Sequence, residues 1–281
     1  MPQIQVRCPS CHKNGTIEID DNALKNVTRG LLAIYVDTHT VCEHSFITYV
    51  DRNLKIRDYF IADFQFEIPQ AVSIEKTKEQ KIPESETLNL DLIKLNLSAT
   101  LITYIIKSIF LKQKILIILE EEFLYSHVIN FFKYISQGAF TVDISLISKE
   151  DYGQKSKNYK DFMVFDGIDI LKNIKKAINP KKLAIEKQIV HNFFTNNDIN
   201  LSLILLRNDI QKAYTLSKSI AEFINSQKKD EKINILKISK ELEVRYDIKL
   251  NSMYLNFLIE IVKNYFGLDV PSISQSFLNS I

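Results

Sequence analysis

With 281 residues, 46% of them hydrophobic, the chain is long enough for one large or two to three small domains and too apolar to be a disordered one. Its 36 basic and 34 acidic residues leave a net charge of +2, which excludes the strong overall basic excess of a dedicated binder of nucleic acid or anionic membrane. Three cysteines, an odd number gathered in the first fifty residues, exclude a disulfide framework and lead us to expect a reducing, cytoplasmic setting.

The start, MPQIQVRC, lacks the apolar run of a signal peptide, so none is expected. Cys8-Pro9-Ser10-Cys11 follows. Two residues between the thiols suit a tight knuckle that turns both sulfurs toward one point. Cys42-Glu43-His44 answers it thirty residues later. On an extended segment, residues i and i+2 share a side, so Cys42 and His44 are expected to point at one ion from a strand. Three thiolates and an imidazole form the ligand set of four-coordinate structural zinc, and Cys8, Cys11, Cys42 and His44 are the expected ligands. His39 and His12 are alternatives to His44. The bland reading is a reduced, unliganded set of small buried hydrophobes.

CPSC looks like the knuckle of a zinc ribbon. Such ribbons usually carry a glycine after the second cysteine and a second Cys-x-x-Cys, where this chain has His12 and Cys-x-His. CPSC followed by VCEHSFITYVDRNLKIRDYF resembles, along most of the chain, a multi-paralogue family of Asgard archaeal proteins with an N-terminal zinc-ribbon-like CPxC…CxH domain. That resemblance implies an archaeal source and brings no assigned activity.

β-branched and aromatic content predicts strands at 15–20, 31–36, 45–50 and 54–60, forming one small antiparallel sheet, with Asp51-Arg52-Asn53 as a hairpin turn. Phe46, Tyr49, Tyr59, Phe60, Phe64 and Phe66 read as the core of this small domain or, alternatively, as a face for a partner. Residues 1–70 hold seven basic and nine acidic side chains, a balance unlike that of a nucleic-acid-binding ribbon. Residues 73–87, charged and without apolar periodicity, read as a linker.

Beyond it the period changes. Residues 90–111 predict one largely buried helix. Residues 101–119 are the most apolar window, yet Lys107, Lys112 and Lys114 make it a poor membrane span. Strands are expected at 114–119, 140–148 and 161–165, and helices at 122–136 and 168–178, giving an α/β layer with a mostly parallel sheet. Glu120, Glu121, Glu122, Asp166 and Asp169 fall at the carboxyl ends of those strands, where Mg²⁺ chemistry would need oxygen ligands; helix capping explains the same residues without a metal. Six glycines and no Gly-rich phosphate loop argue against nucleotide cradling. Ser126 and His127 are helix neighbours that do not face each other, so they are not a nucleophile pair.

Pro180 opens a helical run with three- and four-residue apolar spacing at 183–194, 201–226, 235–246 and 252–266. Leu203, Leu206, Ile210, Ala213, Ile220 and Ile224 form a stripe read as core, with a homodimer seam as the alternative. His191 reads as a packed residue. The turn at 247–251 has helix-turn-helix proportions, but fourteen basic against eleven acidic residues from 181 onward give little attraction for nucleic acid. Gly267 suits a helix C-terminus and Pro271 a stop. The expected fold is thus α+β and multidomain: a zinc-ribbon-like β-domain over 1–70, a linker over 71–88, an α/β domain over 89–180 and a helical bundle over 181–281. With no specific catalytic motif, the expected function is a non-enzymatic intracellular adaptor that binds protein. A nucleic-acid-binding regulator stands second and a Mg²⁺-dependent enzyme third.

Overall fold

The computed structural model describes residues 2–19, 31–37, 39–44, 46–51, 53–61, 88–196, 198–227, 235–268 and 270, and the architecture is mixed α/β, with small antiparallel sheets first and a helical region last. The charged stretch at 73–87, Phe64, Phe66 and Pro271 lie outside the described residues.

The N-terminal part forms two sheets where one was expected. β1 (Gln3–Arg7), which the sequence reading missed, pairs antiparallel with β2 (Asn14–Glu18). β3 (Leu32–Val36), β4 (Phe46–Val50) and β5 (Ile56–Ile61) form the second antiparallel sheet. Ile4 and Val6 alternate with polar neighbours and pack with Ile17, Val36 and Phe46 in a core shared by the two sheets. β4 is buried along all five residues. Phe46 and Val50 face the shared core, whereas Ile47 and Tyr49, on the opposite side of the pleat, enter the core of the helical part.

The β4–β5 turn is built on Asp51, as its Asp-Arg-Asn sequence suggested: Oδ1 accepts the N–H groups of Asn53 and Lys55, both at 2.9 Å. The pairing steps from Val50↔Ile56 to Tyr49↔Asp58, so Arg57 is the extra residue of a bulge. Arg57 reaches back to Asp51 Oδ2 with Nε at 2.8 Å and Nη2 at 2.7 Å. Asp58 turns toward the helices, where it accepts the Thr100 N–H at 3.0 Å.

Residues 90–111 are two helices, not one. α1 (Leu90–Asn96) and α2 (Ala99–Phe110) meet at 105° across Leu97-Ser98. The break lacks Pro and Gly; its cause is Ser98, whose extended backbone and side-chain acceptor for Leu101 N–H start a new helix. α2 is buried on nearly every side, which explains its almost uniformly apolar sequence.

A four-stranded sheet in the order β7-β6-β8-β9 lies against it. β6 (Lys114–Ile118) pairs parallel with β7 (Ile144–Ile147) and β8 (Phe162–Asp166). Ile115 and Ile117 face α2, while Leu116 and Ile118 join Val164, Tyr152 and Tyr159 on the far side, so both faces are covered and the strand reads as a continuous apolar run. α3 (Tyr125–Ser136), preceded by a 3₁₀ turn, connects β6 to β7, and α4 (Lys149–Lys155) leads toward β8. The helix expected at 168–178 is instead β9 (Asp169–Lys172) followed by a 3₁₀ turn. β9 folds back antiparallel on β8 across Gly167-Ile168, where Gly167 takes φ +57°. The strand expected at 140–148 is confined to β7.

The helical region follows its apolar spacing closely, as α5 (Ala184–Thr195), α6 (Ile199–Ser226), α7 (Ile235–Tyr246) and α8 (Ser252–Asn264). Asp198 and Asn251 cap α6 and α8, and Gly267 takes φ +70° beyond the last helix. Leu203, Leu206, Ile210, Ala213 and Ile220 are core residues, with Ile224 packed at its edge. This core is continuous with that of α2, α3 and the sheet. Lys107, only 4% exposed, crosses the junction from α2 to Glu186 on α5 at 3.0 Å and Glu260 on α8 at 2.7 Å. Burial pushes its ammonium down, but the two carboxylates outweigh that and hold it above the usual lysine range. Among the described residues no single helix is long and apolar enough to cross a membrane.

Candidate metal centre

The loop between β1 and β2 holds the first knuckle. The Cys8 N–H donates to Lys13 O at 2.9 Å and the His12 N–H to Cys8 O at 2.9 Å, closing a tight turn around Pro9-Ser10-Cys11. His12 sits there at φ +61°, the left-handed conformation that favours glycine. The Ser10 N–H points at Cys8 Sγ, 3.4 Å away. The second knuckle repeats this contact: the His44 N–H points at Cys42 Sγ at 3.4 Å. Its residues lie in the bend between β3 and β4, so the strand geometry expected for Cys42 and His44 is replaced by a turn. The His39 N–H donates to Cys42 O, and His39 takes φ +70°.

These turns bring together one ligand atom each from Cys8, Cys11, Cys42 and His44, all within 4.8 Å of one another. Cys42 Sγ and His44 Nδ1 are 3.6 Å apart. Metal–ligand bonds of about 2.0 to 2.3 Å in a tetrahedron place neighbouring ligand atoms about 3.5 to 3.8 Å apart, so the residues present fit a small four-coordinate ion. His12 and His39 are not in the cluster, and their backbones close the two turns instead.

The electrostatics of the thiols are divided. Burial pushes the Cys8 thiol up, yet the N–H groups of Cys11 and Ser10 and the neighbouring thiols bring it below its usual value. At Cys42 desolvation pushes up, the His44 N–H pulls back, and Cys8 and Cys11 push further, to about 11. Three thiols that share one point cannot all ionise without a cation between them. Cys8 is fully buried against the shared core, whereas Cys11 and His44 are exposed, so the centre sits at the tip of the β part with one ligand rooted in it. Gly15 permits that root. A β-carbon there would stand 2.7 Å from Val41 Cγ2, so the second knuckle's loop packs directly on the β2 backbone.

The carboxylates at the ends of the parallel strands behave differently. Glu120 Oε1 accepts the Lys149 N–H at 2.9 Å, and Asp166 Oδ2 pairs with Lys149 Nζ at 2.9 Å. Lys149 therefore lies between them. Among the described residues Glu120, Glu121, Glu122, Asp166 and Asp169 do not converge as a metal-binding group. His127 Nδ1 accepts the Asn89 N–H at 3.2 Å. His191, packed as expected, meets Tyr49 Oη at 3.2 Å. Burial pushes the imidazole down and the tyrosine up, so the Tyr49 O–H donates to Nδ1. Sequence reasoning missed Lys94 and Asp58, two charged groups buried between the three-stranded sheet and α1–α2. The signal was present in LDLIKLN, a lysine on the apolar side of a short helix. No protein-family model and no curated protein matches this chain.

Proposed function

We propose that Cys8, Cys11, Cys42 and His44 hold one Zn²⁺ as a closed structural centre, and that the protein is a non-enzymatic adaptor whose metal-stabilised β part contacts a partner protein. One observation carries the reading: four protein ligand atoms of the zinc-preferring kind lie within 4.8 Å of one another. Four protein ligands fill a tetrahedron and leave no position for a reactive water, so the ion would hold chain segments together rather than polarise a substrate. The two short sheets beneath it are small enough for metal binding to supply much of their stability.

Metal analysis of the full chain purified without chelator should return one equivalent of zinc. Cys11→Ser should weaken zinc binding by more than the roughly 10- to 100-fold that loss of a merely supporting group costs. The same variant should loosen the β sheets and leave the helical circular-dichroism signal near its native value. Substoichiometric zinc, or unchanged affinity in Cys11→Ser, rejects the centre. Nucleic-acid binding whose affinity falls steeply with salt would replace the adaptor reading by that of a regulator.

A further inference from the structure

Where the three-stranded sheet meets the corner between α1 and α2, a cavity of about 150 Å³ remains. Its walls come from four places. Tyr49 and Asp58 are cross-strand neighbours on β4 and β5, the segment from Lys94 to Ala99 supplies the corner, Phe194 comes from α5, and Leu31 closes one side. The two buried charges on these walls are not paired with each other. Asp58 is spoken for by backbone: its Oδ1 accepts the Tyr59 N–H at 2.8 Å and its Oδ2 the Thr100 N–H at 3.0 Å. Lys94 is only 4% exposed and has neither a hydrogen bond nor an ion pair with any described residue. Its Nζ rests over the Phe193 ring, 4.6 Å from the centroid.

A lysine that lines a cavity, its buried ammonium resting on an aromatic face and joined to no carboxylate, is an incomplete ion pair. The remaining walls are mixed, with Tyr49, Leu97 and Phe194 offering apolar and aromatic surface beside the polar Arg57, Asn96 and Ser98. A cavity of this size admits a body about as large as benzene. We propose that this cavity binds a small monocarboxylate with an apolar body, the carboxylate serving as counter-ion to Lys94 and the body lying against Tyr49, Leu97 and Phe194. The inference is independent of the metal centre, since no ligand of that centre lines the cavity.

Burial pushes the Lys94 ammonium down to about 8, with the Asp91 carboxylate on its own helix pulling back. The other titratable groups on the cavity walls are Tyr49, Arg57 and Asp58, with His191 of α5 in contact with Tyr49. Burial sets His191 below its usual value, so it is neutral throughout the range from pH 7 to pH 9. An ionised carboxylate probe therefore follows the charge of Lys94 over that range.

The experiment titrates the full chain with benzoate and, separately, with benzyl alcohol, its neutral counterpart of similar size, by calorimetry. Benzoate should bind at least about tenfold more tightly at pH 7, and that preference should fall about tenfold between pH 7 and pH 9. In Lys94→Met, which replaces the ammonium by an apolar chain of similar length, the preference should vanish while benzyl alcohol binds as before. Equal affinity for the two probes, a preference unchanged by pH, or a preference that survives Lys94→Met overturns the proposal. Displacement of benzoate by an equal concentration of inorganic phosphate overturns the choice of a monocarboxylate. Should Lys94→Met not fold, the pH series on the native chain decides alone.

Discussion

Asp51 carries the turn between β4 and β5 almost alone, since its one carboxylate receives two backbone N–H groups and the Arg57 guanidinium. Burial pushes its carboxyl up, and those three donors outweigh burial and hold it below the usual carboxylate range. The unfolded chain then binds the proton more readily than the folded one. The stability this provides is complete above the unfolded value of about pH 4 and is lost as pH falls through the lower folded value. Asp51→Asn is therefore expected to cost about 1 to 2 kcal/mol at pH 7 and progressively less toward pH 3. Denaturant unfolding of both chains across that range checks it, because loss of any metal in acid affects both alike. A cost that does not shrink with acid would mean that the turn depends on shape rather than on charge.

At the scale of elements, the two loops that carry the candidate ligands depend on one close approach. Because Gly15 leaves no room for a β-carbon beside Val41, Gly15→Ala must either push the β3–β4 loop outward or force a stiff β-branched side chain from its place. Overpacking of this kind costs about 1 to 3 kcal/mol, and here it should also lower zinc retention, since Val41 directly precedes Cys42. Val41→Ala in the same chain should restore most of both losses. Additive costs in the double variant, measured by thermal unfolding and metal analysis, would show that the two residues do not oppose each other. Elements of this kind differ in how plainly the sequence announces them. α5 to α8 were legible because their apolar residues recur at three- and four-residue spacing. The division of α1 from α2 was hidden, because Ser98 begins a helix from inside an apolar run and no Gly or Pro marks the place. β9 was misread because Ile168, Ile170, Leu171 and Ile174 also suit a helical face, and only the Gly167 turn commits them to a hairpin. The convergence of Cys8, Cys11, Cys42 and His44 was legible from residue type and spacing. Their geometry was not, since a Cys-x-His pair serves an ion from a turn as well as from a strand. The cavity was invisible because its walls come from β4, β5, the α1–α2 corner and α5, which no local pattern connects.

For the molecule as a whole, β4 stands between two cores. β4 gives Phe46 and Val50 to the core under the metal centre, and Ile47 and Tyr49 to the core of the helices. Tyr49 packs at 5.2 Å from the Phe194 ring and reaches His191, so it fastens the sheet to α5. Among the described residues the core side chains of β1 and β2, Ile4, Val6 and Ile17, enter the core under the knuckles and not that of the helices. Stripping the metal should accordingly expose the backbone amides of β1 and β2 to hydrogen exchange within minutes, while β4 keeps most of its protection through Ile47 and Tyr49. Exchange of β4 in step with β1 would show that the ion, not the helices, anchors the strand. In mechanical terms β4 is a beam clamped along both sides, and the two knuckles are a light bracket mounted beyond it. A pull applied at the bracket reaches the helices through β4 and also through β5, whose Asp58 accepts the Thr100 N–H. The tip is therefore expected to yield before the helical body, whose larger core lies on the far side of β4.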